Sequence, residues 1–188
     1  MKLVLAAAAA VAMFASAPSH AAMMTAGRTD AQDCLRAAQS ATPSARALAS
    51  CNAALASDLS FNARTGTLLN RATLQAAAGD NAAALADYDM AIARDASIGG
   101  AYLGRGTVQL RQGHYDQAKA DLSRALALGG SEAHIAYFNR AQAEEASGDK
   151  VAAYHDYQRA RQADPDFQAA NVELARFHVT GRRVANND

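Results

Sequence analysis

The sequence predicts an all-α chain built from stacked helix hairpins. Glycines that read as turns recur at Gly79, Gly113 and Gly148, 34 and 35 residues apart, a spacing in the range of helical repeat arrays. The segments flanking each glycine place apolar residues at helical intervals, as in the stretch Ala101 to Leu128, AYLGRGTVQLRQGHYDQAKADLSRALAL. Counted from each glycine, the same residue types return. Arginine stands eight residues before (Arg71, Arg105, Arg140), alanine five after (Ala84, Ala118, Ala153) and aspartate eight after (Asp87, Asp121, Asp156). Tyr88, Leu122 and Tyr157 come next, and Ala91, Ala125 and Ala160 follow three residues later. One hairpin cannot bury its apolar faces alone, so the copies are expected to stack.

This pattern resembles the tetratricopeptide repeat (TPR), a helix-turn-helix unit of 34 residues. That family places a small residue at the eighth position of the repeat, here Ala72, Gly106 and Ala141, and alanines at the positions filled by the two alanine sets above. The third repeat also carries the closing proline, in Asp164-Pro165. Ala96 and Gly130 replace it in the first two repeats, and Gln75, Gln109 and Glu144 stand where an aromatic is usual. The resemblance covers Thr65 to Pro165 and implies a right-handed α-solenoid of about three hairpins. Residues 60–98, 99–130 and 131–165 are the three repeats.

In chain order, residues 1–21 read as a secretory signal peptide. Lys2 precedes an apolar run from Leu3 to Ala17 that is short for a membrane span, and Ser19 and Ala21 flank the expected cut after Ala21. No cysteine lies at that cut, which argues against a lipid anchor. The expected destination is a bacterial periplasm or the exterior, without stable membrane insertion. Cleavage removes Lys2 and leaves 17 of the 18 basic residues against 18 acidic ones. Such a balance offers no general attraction for nucleic acid or anionic membrane.

Residues 22–28 show no periodicity and are expected to be a flexible lead. Thr29-Asp30-Ala31-Gln32 fits a capping box, so the first helix is expected from Thr29 to Ala41. Thr42-Pro43 ends it and opens a second, with Thr as N-cap and Pro in the first turn, running to Ser57. Cys34 and Cys51 lie symmetrically about that junction, and in an antiparallel helix pair such residues stand side by side. In an exported protein they are expected to form a disulfide. Redox pairs instead keep their cysteines a couple of residues apart at a helix start. Residues 29–58 therefore read as a degenerate TPR-like hairpin, stapled as the N-terminal cap of the stack.

Ser60 to Ala78 is the first helix of repeat one, Gly79-Asp80 its turn and Asn81 to Arg94 its return. Gly129-Gly130 ends repeat two, and Ser131-Glu132 opens repeat three. Residues 166–181 form a capping helix, with its core from Phe167 to Thr180, Leu174 and Ala175 as packing residues and Gly181 as its end. Residues 182–188 are a polar tail.

The sequence carries no catalytic constellation. His114, His134, His155 and His178 fall at unrelated repeat positions and none is at metal-ligand spacing, so no metal or other cofactor is expected. There is no nucleophile elbow, phosphate-cradling glycine loop or H-E-x-x-H motif. The Arg and Asp pairs recur in each repeat, as a structural role predicts, and read as exposed pairs contributing about 0 to 1 kcal/mol. Glu144-Glu145, the one adjacent acidic pair, reads as a solvated helix face.

Function is therefore expected from surface shape. The resemblance implies a concave groove lined by the first helix of each repeat, holding an extended peptide or a partner helix. Its expected residues are Leu69, Asn70 and Thr73; Leu103, Thr107 and Arg111; Ile135, Phe138, Asn139 and Gln142; and Val172 and Arg176 from the cap. Asn70 and Asn139 would bond the backbone of the ligand, while Leu69 and Leu103 suit helix packing equally well. The family's lysine and asparagine clamp for a terminal carboxylate is missing, since Leu69 and Thr73 occupy its places. An exported scaffold or adaptor binding a protein or peptide is expected. The alternatives are a self-associating homo-oligomer of the cell envelope and an accessory subunit of an envelope enzyme.

Overall fold

The computed structural model describes residues 20–130 and 132–185, with side chains from 29 to 177. Among them are nine helices and no strand: α1 (His20–Gln39), α2 (Ala45–Ala56), α3 (Phe61–Ala77), α4 (Asn81–Arg94), α5 (Gly99–Arg111), α6 (Tyr115–Leu128), α7 (Ala133–Ala146), α8 (Lys150–Ala163) and α9 (Gln168–Ala185). None is long and apolar enough to cross a membrane.

Consecutive helices pair as hairpins, α1 with α2, α3 with α4, α5 with α6 and α7 with α8. Each hairpin of the three repeats turns on a glycine with positive φ, 85° at Gly79, 78° at Gly113 and 92° at Gly148. The amide beyond each glycine reaches back to the last turn of the first helix. Asp80 bonds the Gln75 carbonyl, His114 that of Gln109 and Asp149 that of Glu144, each at 2.9 Å. Asp80 and Asp149 then cap the returning helix with their carboxylates, on the amides of Ala83 and Ala152.

Small residues let the paired helices approach. Ala72, Ala84, Ala118, Ala141 and Ala153 are fully buried. Gly106 replaces Ala72 and Ala141 for a local reason. A Cβ there would lie 3.0 Å from Leu122 Cγ, the side chain that stands in repeat two where the others place Tyr88 and Tyr157.

Between hairpins, α1 packs on α3, α3 on α5 and α5 on α7, whereas no comparable contact joins α4 to α6. The first helices are therefore the closely packed inner row, and the second helices form the outer row. Each repeat arginine secures this stack. Arg71, Arg105 and Arg140 donate through Nε and Nη2 to both oxygens of Asp87, Asp121 and Asp156. Their remaining Nη1 reaches the preceding hairpin, at Asn52, Asp89 and Ser123. The pairs are not the exposed ones expected from sequence, since the aspartates are only 1 to 7% exposed. Asn52 on α2 thus answers Arg71 much as Asp89 on α4 answers Arg105, tying the N-terminal hairpin to the first repeat.

The Cys34–Cys51 disulfide is formed, with both residues fully buried against Ala47 and Leu74. Arg64 holds the end of that hairpin through the carbonyls of Leu55 and Ser57. At the other end, Leu174 is buried where the repeats have arginine. Ala175 is exposed rather than packed, because no further helix follows α9 among the described residues.

Several expected boundaries move. Residues 22–28 belong to α1 rather than to a flexible lead, as a run rich in Ala and Met favours, and Thr29 is not a helix start. The cap of α2 is Ser44, which accepts from the Ala47 amide, not Thr42. Helix α9 passes through Gly181 and ends at Ala185, so part of the expected polar tail is helical. Residues 1–19, which hold most of the expected signal peptide, lie outside the described residues, as do Ser131 and residues 186–188. The missing prolines have local substitutes. Asp95 accepts from the Ser97 amide and hydroxyl, as Asp164 does from the Asp166 amide, while Gly129 and Gly130 turn repeat two with positive φ.

Candidate functional site

All twelve expected groove residues lie on α3, α5, α7 or α9, but they divide by what they touch. Leu69 packs onto the cluster of Ala72, Tyr88 and Val108. Leu103 packs onto Ala118, Leu122 and Ala136 and borders a cavity of ≈ 140 Å³ where α5, α6 and α7 meet. Phe138 joins Tyr157 and Phe167, with ring centroids 5.5 and 5.2 Å away. These three side chains chiefly pack the stack.

The polar members are also partly committed. Thr73 donates to the Leu69 carbonyl and lies 3.3 Å from the Tyr88 hydroxyl, and Thr107 donates to the Leu103 carbonyl at 2.7 Å. Asn139 donates to Thr107 Oγ1 at 2.9 Å and is buried. It joins repeats two and three, and is a poor candidate for bonding a ligand's backbone. Arg111 crosses to the Ala76 carbonyl and Asn81, closing the end of α3. The half-buried Asn70 makes no hydrogen bond within the described residues, and half-buried Ile135, exposed Gln142 and Val172, which is 64% exposed, complete the set.

Arg176 is drawn into a cluster that sequence reasoning missed. Its Nη2 bonds Glu145 at 2.6 Å and its Nε bonds Glu173 at 2.8 Å. Tyr157 donates to Glu145 at 3.3 Å, and Gln142 and Ala146 complete the rim of this shallow recess. Burial pushes the Tyr157 phenol up, and the Glu145 charge adds to the effect. Glu145 and Glu173 fall on the inner helices at repeat positions filled by Ala76 and Leu110, and by Asn70, Gly104 and Asn139. Counting repeat positions outward from Gln142 would have found them.

Glu144 is not on a solvated face. Its side chain is 15% exposed, and Oε2 is buried with no hydrogen-bond partner. Gln75 and Gln109, at the same repeat position, have a buried Oε1 in the same state. No group of three or more His, Cys, Asp or Glu residues able to hold a metal occurs among the described residues.

Comparisons with known proteins agree with this geometry. Residues 103–166 match the family model described as tetratricopeptide repeat. No curated protein matches the sequence. Solved structures with the same fold include the Arabidopsis OM64 TPR domain, with 20% identity, a TM-score of 0.59, and 62% of this chain and 96% of that one covered. MamA from Desulfovibrio magneticus RS-1 has 19% identity, a TM-score of 0.67, and 85% and 86% coverage. YrrB, described as a TPR protein with an unusual peptide-binding site, has 14% identity, a TM-score of 0.62, and 82% and 74% coverage. The matched segment spans most of repeats two and three, and the repeated hairpins with their arginine and aspartate register give the chain the fold of these tetratricopeptide repeat structures. Its stack consists of a disulfide-linked hairpin, three repeats and a closing helix.

Proposed function

We infer that this protein is an exported, non-enzymatic adaptor whose inner helices hold an extended peptide or a partner helix. The observation that carries this reading is the inner row itself. It presents Asn70 without an internal hydrogen bond, together with Ile135, Gln142 and Val172, beside side chains already fixed by packing. A ligand would thus meet open polar and apolar groups on a rigid support, the arrangement that gives affinity with little ordering cost. The peptide site named for YrrB lends the reading precedent on the same fold. Export is supported by the apolar leader of residues 1–21 and by a buried disulfide, which persists in oxidising compartments.

A photo-crosslinking residue placed at Gln142 on the inner row, and separately at Val151 on the outer row, tests the binding reading. Adducts with one partner at 142 and none at 151 are expected. Equal labelling at both sites overturns the groove, and adducts of twice the chain mass replace an adaptor with self-assembly. For export, the mature chain should begin at Ala22 by intact mass. A chain that retains Met1 to Ala21 in the envelope fraction overturns cleavage.

A further inference from the structure

We propose that Glu144 is a proton-dependent switch on the packing of the third repeat, held as a neutral carboxylic acid in place of a glutamine and weakening the α7–α8 hairpin when it ionises. The position four residues before each turn glycine is Gln75, Gln109 and Glu144, and in all three one side-chain oxygen is buried without a hydrogen-bond partner. A protonated glutamic acid has the shape of glutamine and carries no charge, so it fits the site that the other two repeats build. An ionised carboxylate does not fit, because a buried oxygen without a donor loses its hydration with nothing in exchange.

The groups facing Glu144 do not offset that loss. On its own helix, Arg140 Nε is 3.9 Å away, but its Nε and Nη2 both donate to Asp156 and its Nη1 donates to Ser123. Asp156 on α8 and Asp149, the N-cap of α8, add like charge, and Lys119 on α6, which opposes them, is itself paired with Asp116 at 2.8 Å. Glu144 also lies in the last turn of α7, where its own carbonyl accepts the turn bond from Asp149 and the helix dipole disfavours negative charge. Burial, reinforced by Asp156, pushes its carboxyl up to about 7.

The sign follows from linkage. A carboxyl whose pKa is raised in the folded state contributes stability that is complete below the unfolded value and is lost as pH rises through the folded value. The window therefore opens at ordinary glutamate pH and closes above 7. Within it the folding constant falls by up to about tenfold per pH unit.

The chain has four glutamates, so a full-length sample labelled with ¹³C at glutamate Cδ resolves the titration directly. One resonance, missing from the Glu144→Gln chain, is expected to move with a midpoint near 7. A midpoint below 5 for that resonance overturns the proposal. Melting temperature against pH supplies the second measurement. From pH 5 to 8 the parent chain should lose stability relative to Glu144→Gln, and parallel curves for the two chains overturn the switch even if the variant is uniformly more stable.

Discussion

The guanidinium of Arg105 lies along the carboxylate of Asp121, with Nε on one oxygen at 2.7 Å and Nη2 on the other at 2.8 Å. Asp121 is buried, and its partner fills both acceptor sites in the two-pronged geometry that favours arginine over lysine. Hydrogen bonding to Asp121 holds the guanidinium charge more tightly than in water. Arg105→Ala would leave a buried charge unpaired and should cost about 3 kcal/mol of unfolding free energy. Asp89, the second acceptor of Arg105, is 61% exposed, so Asp89→Ala should cost less than about 1 kcal/mol. Urea unfolding of the two variants checks the ranking, and equal losses would mean that the pair contributes only as a surface contact.

His114 begins α6 at the position where Asp80 and Asp149 begin α4 and α8, yet its side chain makes no capping bond. The backbone is already shaped for a cap, with φ of −83° and ψ of 64° close to the values at its two counterparts. His114→Asp should therefore raise stability by about 1 kcal/mol, since an aspartate there would accept from the first turn and place negative charge at the helix start. A gain in melting temperature is the expected result, and an unchanged value would show that the α6 amides are satisfied by water.

The repeat was legible because its signals are local. Turn glycines with positive φ and alanines at fixed offsets each follow from a constraint within one hairpin, and the disulfide from the symmetry of another. Contacts between repeats were not legible in the same way. Asn139 reads as a free amide until Thr107 is brought to it from the preceding repeat, and the Arg and Asp pairs read as exposed until neighbouring helices cover them. The α2 start was misplaced by one competing signal, as Pro43 precedes the helix while Ser44 supplies the cap. The cluster was missed because only the docking of α9 on the third hairpin brings Arg176 to Glu145 on α7, although Glu173 stands three residues before Arg176 on the same helix.

Cys34 and Cys51 close a loop of 17 residues inside the N-terminal hairpin. In the chain-entropy account such a closure stabilises by about 3 kcal/mol, chiefly by restricting the unfolded chain. Cys34→Ser should lower the melting temperature relative to the parent under oxidising conditions, and the difference should shrink once both chains are unfolded and refolded with reductant. Because neither sulfur is exposed, mild thiol added to the folded protein should reduce the bond only slowly. Equal melting temperatures in the absence of reductant would show that the closure does not hold the stack.

Gly104 marks where two repeats are matched in size. It stands at the repeat position of Asn70 and Asn139, and the reason is Tyr88, whose buried phenol from the first repeat occupies the space a Cβ would need. Repeat two has Leu122 in place of that tyrosine, and the third repeat accordingly accommodates Asn139. Two effects oppose each other in Gly104→Ala. Alanine favours the interior of α5 by about 1 kcal/mol, whereas forcing a buried ring aside costs typically 1–3 kcal/mol and also disturbs the contact between Tyr88 and Thr73. The clash should prevail, giving a net loss of about 1 kcal/mol in the parent chain. In a Tyr88→Leu background the obstacle is absent and the same change should stabilise, so the sign of the effect reverses. Denaturant unfolding of the four chains in this cycle measures the coupling, and a Gly104→Ala effect of the same sign in both backgrounds would show that Tyr88 is not what requires glycine at this position.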